Sequence, residues 1–256
     1  MASFSPVVFV VALLSTLCLG SFASPTLRIL GGNEVGGSDY PYMVSVRRDT
    51  AHVCGGSLIS LKHVLTAAHC VSELGTKPVD ASAITCRVGS KNQFAGGKLV
   101  PVEKITIHNS YGSYLNDIAI LELAYKLDES AKIKPIQLAD KSDVVTPGKS
   151  VAIAGWGRTE TSGANAYKLQ QSDATVLSAS QCEDEIGYGY ASCICVQNKP
   201  GSGACNGDAG GPAVYDDQLV GVGNFVIGAC GTKYPDVYAR VSHYYSWIIS
   251  IIGSQQ

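Results

Sequence analysis

The chain has 256 residues, room for one large domain or two small ones. Hydrophobic residues make up 46% and charged residues 16%, which supports a packed core and excludes wholesale disorder. The net charge is −2 and the cations cluster only at Arg47-Arg48, which argues against a nucleic-acid surface, while nine cysteines suit an oxidising compartment.

In chain order, Val7 to Gly20 is an apolar run broken only by Ser15 and Thr16, and Ser21-Phe22-Ala23 follows with a small-x-small pattern. Residues 1–23 therefore read as a secretory signal peptide, although no Lys or Arg precedes the run. Its removal takes Cys18 away and leaves an even eight cysteines, as expected for a secreted, extracellular protein. The run is too short for a membrane span, and no Asn-x-Ser/Thr sequon occurs. Residues 24–28 form a short polar stretch ending in Arg28, before Ile29-Leu30-Gly31-Gly32.

From there short β-like runs alternate with turns: Tyr42–Val46, Leu58–Ile59 with Val64–Leu65, Ile84–Val88, Ile118–Leu123, Val151–Ala154, Leu219–Val222 and Val237–Val241. Such runs, with 28 glycines, predict an all-β sandwich or barrel. Only the C-terminus reads as helical, with Ser242 as N-cap and Tyr244, Trp247, Ile248 and Ile251 on one core-facing stripe. No internal repeat and no Pro/Ser-rich linker divides the chain.

Three segments carry chemistry: Thr66-Ala67-Ala68-His69-Cys70, Asn116-Asp117-Ile118-Ala119-Ile120-Leu121, and Cys205-Asn206-Gly207-Asp208-Ala209-Gly210-Gly211-Pro212. A His or an Asp taken singly is more often structural than catalytic. Their order, His then Asp then a Gly-rich loop, is one known for nucleophilic acyl transfer.

With Cys54-Gly55-Gly56-Ser57-Leu58-Ile59, Gly155-Trp156-Gly157 and Pro235-Asp236-Val237-Tyr238, these segments make residues 29–256 resemble the trypsin/chymotrypsin family of secreted serine proteases. The wording around Ala204-Cys205 and Tyr234-Pro235 looks most like insect chymotrypsin-like enzymes. The resemblance implies two six-stranded antiparallel β-barrels, over about 29–140 and 141–256, with a C-terminal helix and the site in the cleft between them. It implies His69 as the base, Asp117 as its orienter, and the N–H groups of Gly207 and Ala209 as an oxyanion hole. The family has Ser where this chain has Ala209. Ser202, seven positions upstream, lies in a different part of the loop and is given little weight as a substitute. The resemblance further implies a zymogen cut after Arg28 by a trypsin-like protease, with the new Ile29 amino group pairing with Asp208.

By the same resemblance Gly203 lies at the base of the substrate pocket, Asp236 on its wall and Val226 at its entrance. The implied disulfides are Cys54–Cys70, Cys182–Cys195 and Cys205–Cys230, which leaves Cys86 and Cys193 without assigned partners. No cofactor and no metal is expected: Ser90 to Leu99, where the family's calcium loop would fall, contains no acid, and Cys193-Ile194-Cys195 is not a zinc spacing. His52, His63, His108 and His243 read as surface or structural residues.

Three functions stay open. The first is a secreted, monomeric, non-catalytic protease homologue that binds a protein partner or peptide in the cleft. The second is a serine endopeptidase of broad or chymotrypsin-like specificity whose Ala209 is artificial. The third is an allergen-like or toxin-like effector defined by its surface.

Overall fold

Alternating burial makes the strands. In Ile84–Val88, Ile84, Cys86 and Val88 are buried and Thr85 and Arg87 between them are half-exposed. The structure, a computed structural model, describes residues 31–36, 39–112, 115–159, 163–187 and 191–253, together with Met1. The proposed signal and activation segments, including Arg28 and Ile29, lie outside the described residues.

Six strands form the first barrel: β1 (Met43–Arg48), β2 (Ala51–Leu58), β3 (His63–Thr66), β4 (Ile84–Val88), β5 (Lys98–Ile107) and β6 (Ala119–Leu123). They close antiparallel in the order β1-β2-β3-β6-β5-β4. Six more form the second: β7 (Ser150–Gly155), β8 (Gln170–Val176), β9 (Cys193–Gln197), β10 (Pro212–Tyr215), β11 (Gln218–Val226) and β12 (Asp236–Arg240). Their order, β7-β8-β9-β12-β11-β10, repeats that of the first barrel, and the short β8–β9 and β7–β10 ladders close it. The expected two-barrel architecture is therefore present, with a topological repeat that the sequence does not display.

The two halves hold each other's ends. Asn33–Glu34, before the first barrel, pairs with β8, and Gln137–Leu138 pairs in parallel with β11. The C-terminal helix α2 (Val241–Ile252) packs Tyr244 and Ile248 against Ile59, Leu65, Ile118 and Ile120 of the first half.

The helix begins at Val241 with Arg240 as its cap, which corrects Ser242 as the N-cap. Arg240 still pairs with Gly221 in the sheet, so the helix leaves the strand without a loop in which a side-chain cap could form. A second helix, α1 (Ala179–Ile186), was not expected. Its signal is present in the sequence: Ser178 and Gln181 form a capping box, and Gly187 closes the helix at φ 74°.

Candidate active site

The site lies where both barrels meet. Beyond β3, buried Ala67 and Ala68 lead into a single 3-10 turn, Ala68–Cys70, which leaves the His69 side chain 40% exposed. The Cys54–Cys70 disulfide ties that turn to β2. Opposite it, Asn116 takes φ 52° and Asp117 enters β6 with only 2% exposure. Asn116 is held by Ser110 O at 2.9 Å and by the Tyr244 hydroxyl at 3.2 Å. Asp117 Oδ1 accepts the His69 backbone N–H at 2.8 Å, and Oδ2 accepts from His69 Nδ1 at 2.7 Å. A carboxylate on Nδ1–H fixes the ring's orientation and leaves Nε2 as its acceptor.

The ligand atoms of Cys54, His69 and Cys70 lie within 4.8 Å of one another. Both sulfurs are spent in the disulfide, so no thiolate is available and the trio is not a metal centre.

The glycine-rich loop is pinned from both barrels. Ala209 O accepts from Gly55 N at 2.7 Å and Gly210 N donates to Gly223 O at 2.7 Å. The Cys205–Cys230 bridge holds its start. Gly210 has φ 77°, and a Cβ there would fall 2.2 Å from Thr66 Oγ1. Among the described residues, the N–H groups of Gly207 and Ala209 donate to no backbone carbonyl, and both residues line the cleft with His69. The Ala209 methyl packs against the first-barrel core.

Asp208 is buried and its carboxylate is held by backbone N–H groups. Its Oδ1 accepts from Gly157 N at 2.6 Å and its Oδ2 from Cys205 N at 3.0 Å. The carboxylate fills the space of two missing side chains: a Cβ on Gly155 would lie 2.0 Å from Oδ1, and one on Gly157 2.3 Å from Oδ2. Burial pushes its pKa up to about 7 against the two N–H donors. Among the described residues no cation reaches it.

His52, read from the sequence as surface or structural, takes a structural role. It is buried beneath the loop, where Nε2 donates to Gly207 O at 3.0 Å and Nδ1 accepts from Ser45 Oγ at 2.8 Å. Its ring stands edge-on to Trp156, and burial lowers its pKa to about 4, so the ring is neutral. No spacing rule marks it, because the contact spans 155 residues.

The cleft has a volume of about 550 Å³, and Asp236 and Val226 line it. Val226 stands opposite Asp236 across β11 and β12. Gly203 is at φ 136°, and a Cβ on it would meet Asn198 Nδ2 at 2.8 Å and Asp236 Oδ2 at 2.9 Å. Asp236 Oδ2 also accepts from Asn198 Nδ2 at 2.6 Å and from Ala204 N at 2.8 Å. Burial pushes Asp236 up to about 6. A buried acid thus fills the space that a side chain at position 203 would occupy. Asn198, which steadies it, was not singled out in the sequence.

The remaining candidates lie apart. Ser202 Oγ is tied to Lys199 O at 2.8 Å. Cys182–Cys195 joins α1 to β9, while Cys86 in β4 and Cys193 in β9 are buried free thiols in different barrels. His63 bonds Ser60 Oγ, and the rings of His108 and His243 stand edge-on to Tyr244.

A family model described as Trypsin matches residues 29–248. The chain is 42% identical over 221 residues to serine protease SP24D of Anopheles gambiae, covering 86% of this chain and 80% of that protein. It is 35% identical to a trypsin of Phaedon cochleariae, covering 88% of each, and 37% identical to trypsin alpha of Drosophila melanogaster, covering 89% and 88%. Among solved structures, neuropsin, a serine protease expressed in the limbic system of mouse brain, superposes with a TM-score of 0.79 at 26% identity. That match covers 88% of this chain and all of the other. The two closed barrels, the His69–Asp117 pair and these matches place the chain in the trypsin family of serine proteases.

Proposed function

We propose that the chain as written is a non-hydrolysing member of its family that holds a peptide segment of a protein partner in the cleft. The observation that carries this is Ala209. It sits between the cleft-facing N–H of Gly207 and the turn at Gly210, in the cleft that His69 also lines, and it has no oxygen to acylate. His69 would be the base, Asp117 its orienter, and Gly207 and Ala209 the oxyanion donors. Loss of a nucleophile costs a comparable protease about two million-fold in turnover. That is roughly 8–9 kcal/mol of barrier.

The rest of the reading follows the same geometry. Gly203 at the base, Asp236 on the wall and Val226 at the entrance would form the primary pocket, and an acid on the wall above a glycine base would accept basic and bulky apolar side chains alike. Cleavage after Arg28 by a trypsin-like protease would free the Ile29 amino group to pair with buried Asp208. Three disulfides and insect relatives named trypsin and serine protease support a secreted, extracellular protein.

A second reading, an endopeptidase of broad or chymotrypsin-like specificity carrying an artificial Ala209, is favoured by the intact His69–Asp117 pair. Sequencing the native gene separates the two: Ser at position 209 gives the enzyme, Ala the binding protein. For the protein itself, a fluorophosphonate probe applied after cleavage at Arg28 tests the first reading. It should leave the 205–211 loop unlabelled, and labelling there overturns it.

A further inference from the structure

Arg47 and Arg48 are the only cation cluster in the sequence, and the structure gives them different tasks. Arg47 is buried, and its guanidinium donates to Gln93 O at 2.8 Å and to Thr50 O. Arg48, the last residue of β1, pairs with Ala51 and Ile84 through its backbone and lines the cleft beside Val53 and the Cys54–Cys70 bridge. Its Nη2 is buried with no hydrogen-bond partner, and among the described residues no carboxylate forms an ion pair with it. A guanidinium N–H left unmade inside a cleft is costly, and a carboxylate is the group whose geometry satisfies it.

The cleft is polarised. Asp236 lines it with an acid from the second barrel, and Arg48 lines it with a cation from the first barrel, beside the Cys54–Cys70 bridge. A peptide lying along this lining, with a side chain at Asp236 and a carbonyl at the Gly207 and Ala209 N–H groups, would bring its following side chains past the Cys54–Cys70 bridge to Arg48. We propose that Arg48 selects bound peptides that carry an acidic side chain beyond the carbonyl held at Gly207 and Ala209, on what would be the leaving-group side. The proposal rests on the reading that this cleft holds peptide, and it adds which peptide.

The test uses the cleaved chain, which leaves peptides uncut, and fluorescence anisotropy with two labelled peptides. They are identical except for Glu or Gln at the positions following the pocket residue. We expect the Glu peptide to bind about tenfold tighter at low salt, with the gap shrinking as ionic strength rises. Arg48→Gln should bring the gap below about twofold while leaving the Gln peptide's affinity and the binding of benzamidine in the pocket unchanged. Equal affinities in the unmutated chain, a gap that ignores salt, or a gap that survives Arg48→Gln overturns the role of Arg48 and leaves peptide binding standing. If benzamidine binds but neither peptide does, the peptide-binding reading falls and the selection by Arg48 falls with it. Should Arg48→Gln lower the melting temperature, Arg48→Lys, which keeps the charge, should retain the Glu preference, and its loss there counts against a charge-based reading.

Discussion

Freeing the amino group of Ile29 should stabilise the protein, and the gain should depend on pH in a way set by Asp208. Without a partner, Asp208 has its pKa raised from 3.8 to about 7. As pH rises through that window the unfolded chain loses this proton while the folded chain keeps it. Asp208 therefore subtracts stability progressively above pH 3.8. The penalty amounts to roughly 4 kcal/mol at pH 7 and less than about 1 kcal/mol at pH 4. An ammonium beside the carboxylate would remove that penalty, less the cost of burying the amine itself. The comparison is between a chain that keeps Ser24–Arg28 and one that starts at a free Ile29, by urea denaturation at pH 4 and pH 7. His52 and Asp236 titrate in both chains, so the difference isolates Asp208. We expect the free-Ile29 chain to be more stable by at least about 2 kcal/mol at pH 7 and by a small fraction of that at pH 4. Equal stabilities at pH 7, or a gain of the same size at both values, would refute the pairing.

Other consequences can be checked alongside. Gly157→Ala puts a methyl where the Asp208 carboxylate lies, 2.3 Å from Oδ2, and should cost about 2–3 kcal/mol in thermal or urea melts. His52 has its pKa lowered from 6.5 to about 4, so its contribution is complete above pH 6.5 and is lost as pH falls toward 4. His52→Gln should flatten that part of the stability profile, and an unchanged slope would mean that the ring is not buried as a neutral group. Given a hydroxyl at position 209, Asp117→Asn should lower turnover by about ten thousand-fold with little change in KM, because Asn cannot favour the Nδ1–H tautomer. A loss of tenfold or less in steady-state kinetics would place the orienting role elsewhere.

What the sequence reveals follows the physics of each element. Ile84–Val88 is legible because buried and half-exposed residues alternate cleanly. Gln170–Val176 is not, because QQSDATV is polar and its ladder, not its side chains, holds it in the barrel. Lys98–Ile107 hides behind Pro101 and a register shift between Val102 and Lys104, which interrupt its period. His69, Asp117 and the 205–212 loop are legible as motifs because their neighbours are fixed in the chain. His52 and Asn198 act through contacts between remote segments and carry no local signature. Asp236 could be placed near the pocket by resemblance, but its hydrogen bonds to Asn198 and Ala204 require coordinates.

The direct measurement is peptide hydrolysis by the chain cleaved at Arg28, compared with Ala209→Ser prepared in the same way. The chain as written should show no turnover above background and no fluorophosphonate adduct. Ala209→Ser should acquire both if His69 is the base that Asp117 orients and if the N–H groups of Gly207 and Ala209, which among the described residues donate to no backbone carbonyl, form the oxyanion hole. Turnover by the unmutated chain, with an adduct on the 205–211 loop, would contradict the assignment of Ala209 as the missing nucleophile.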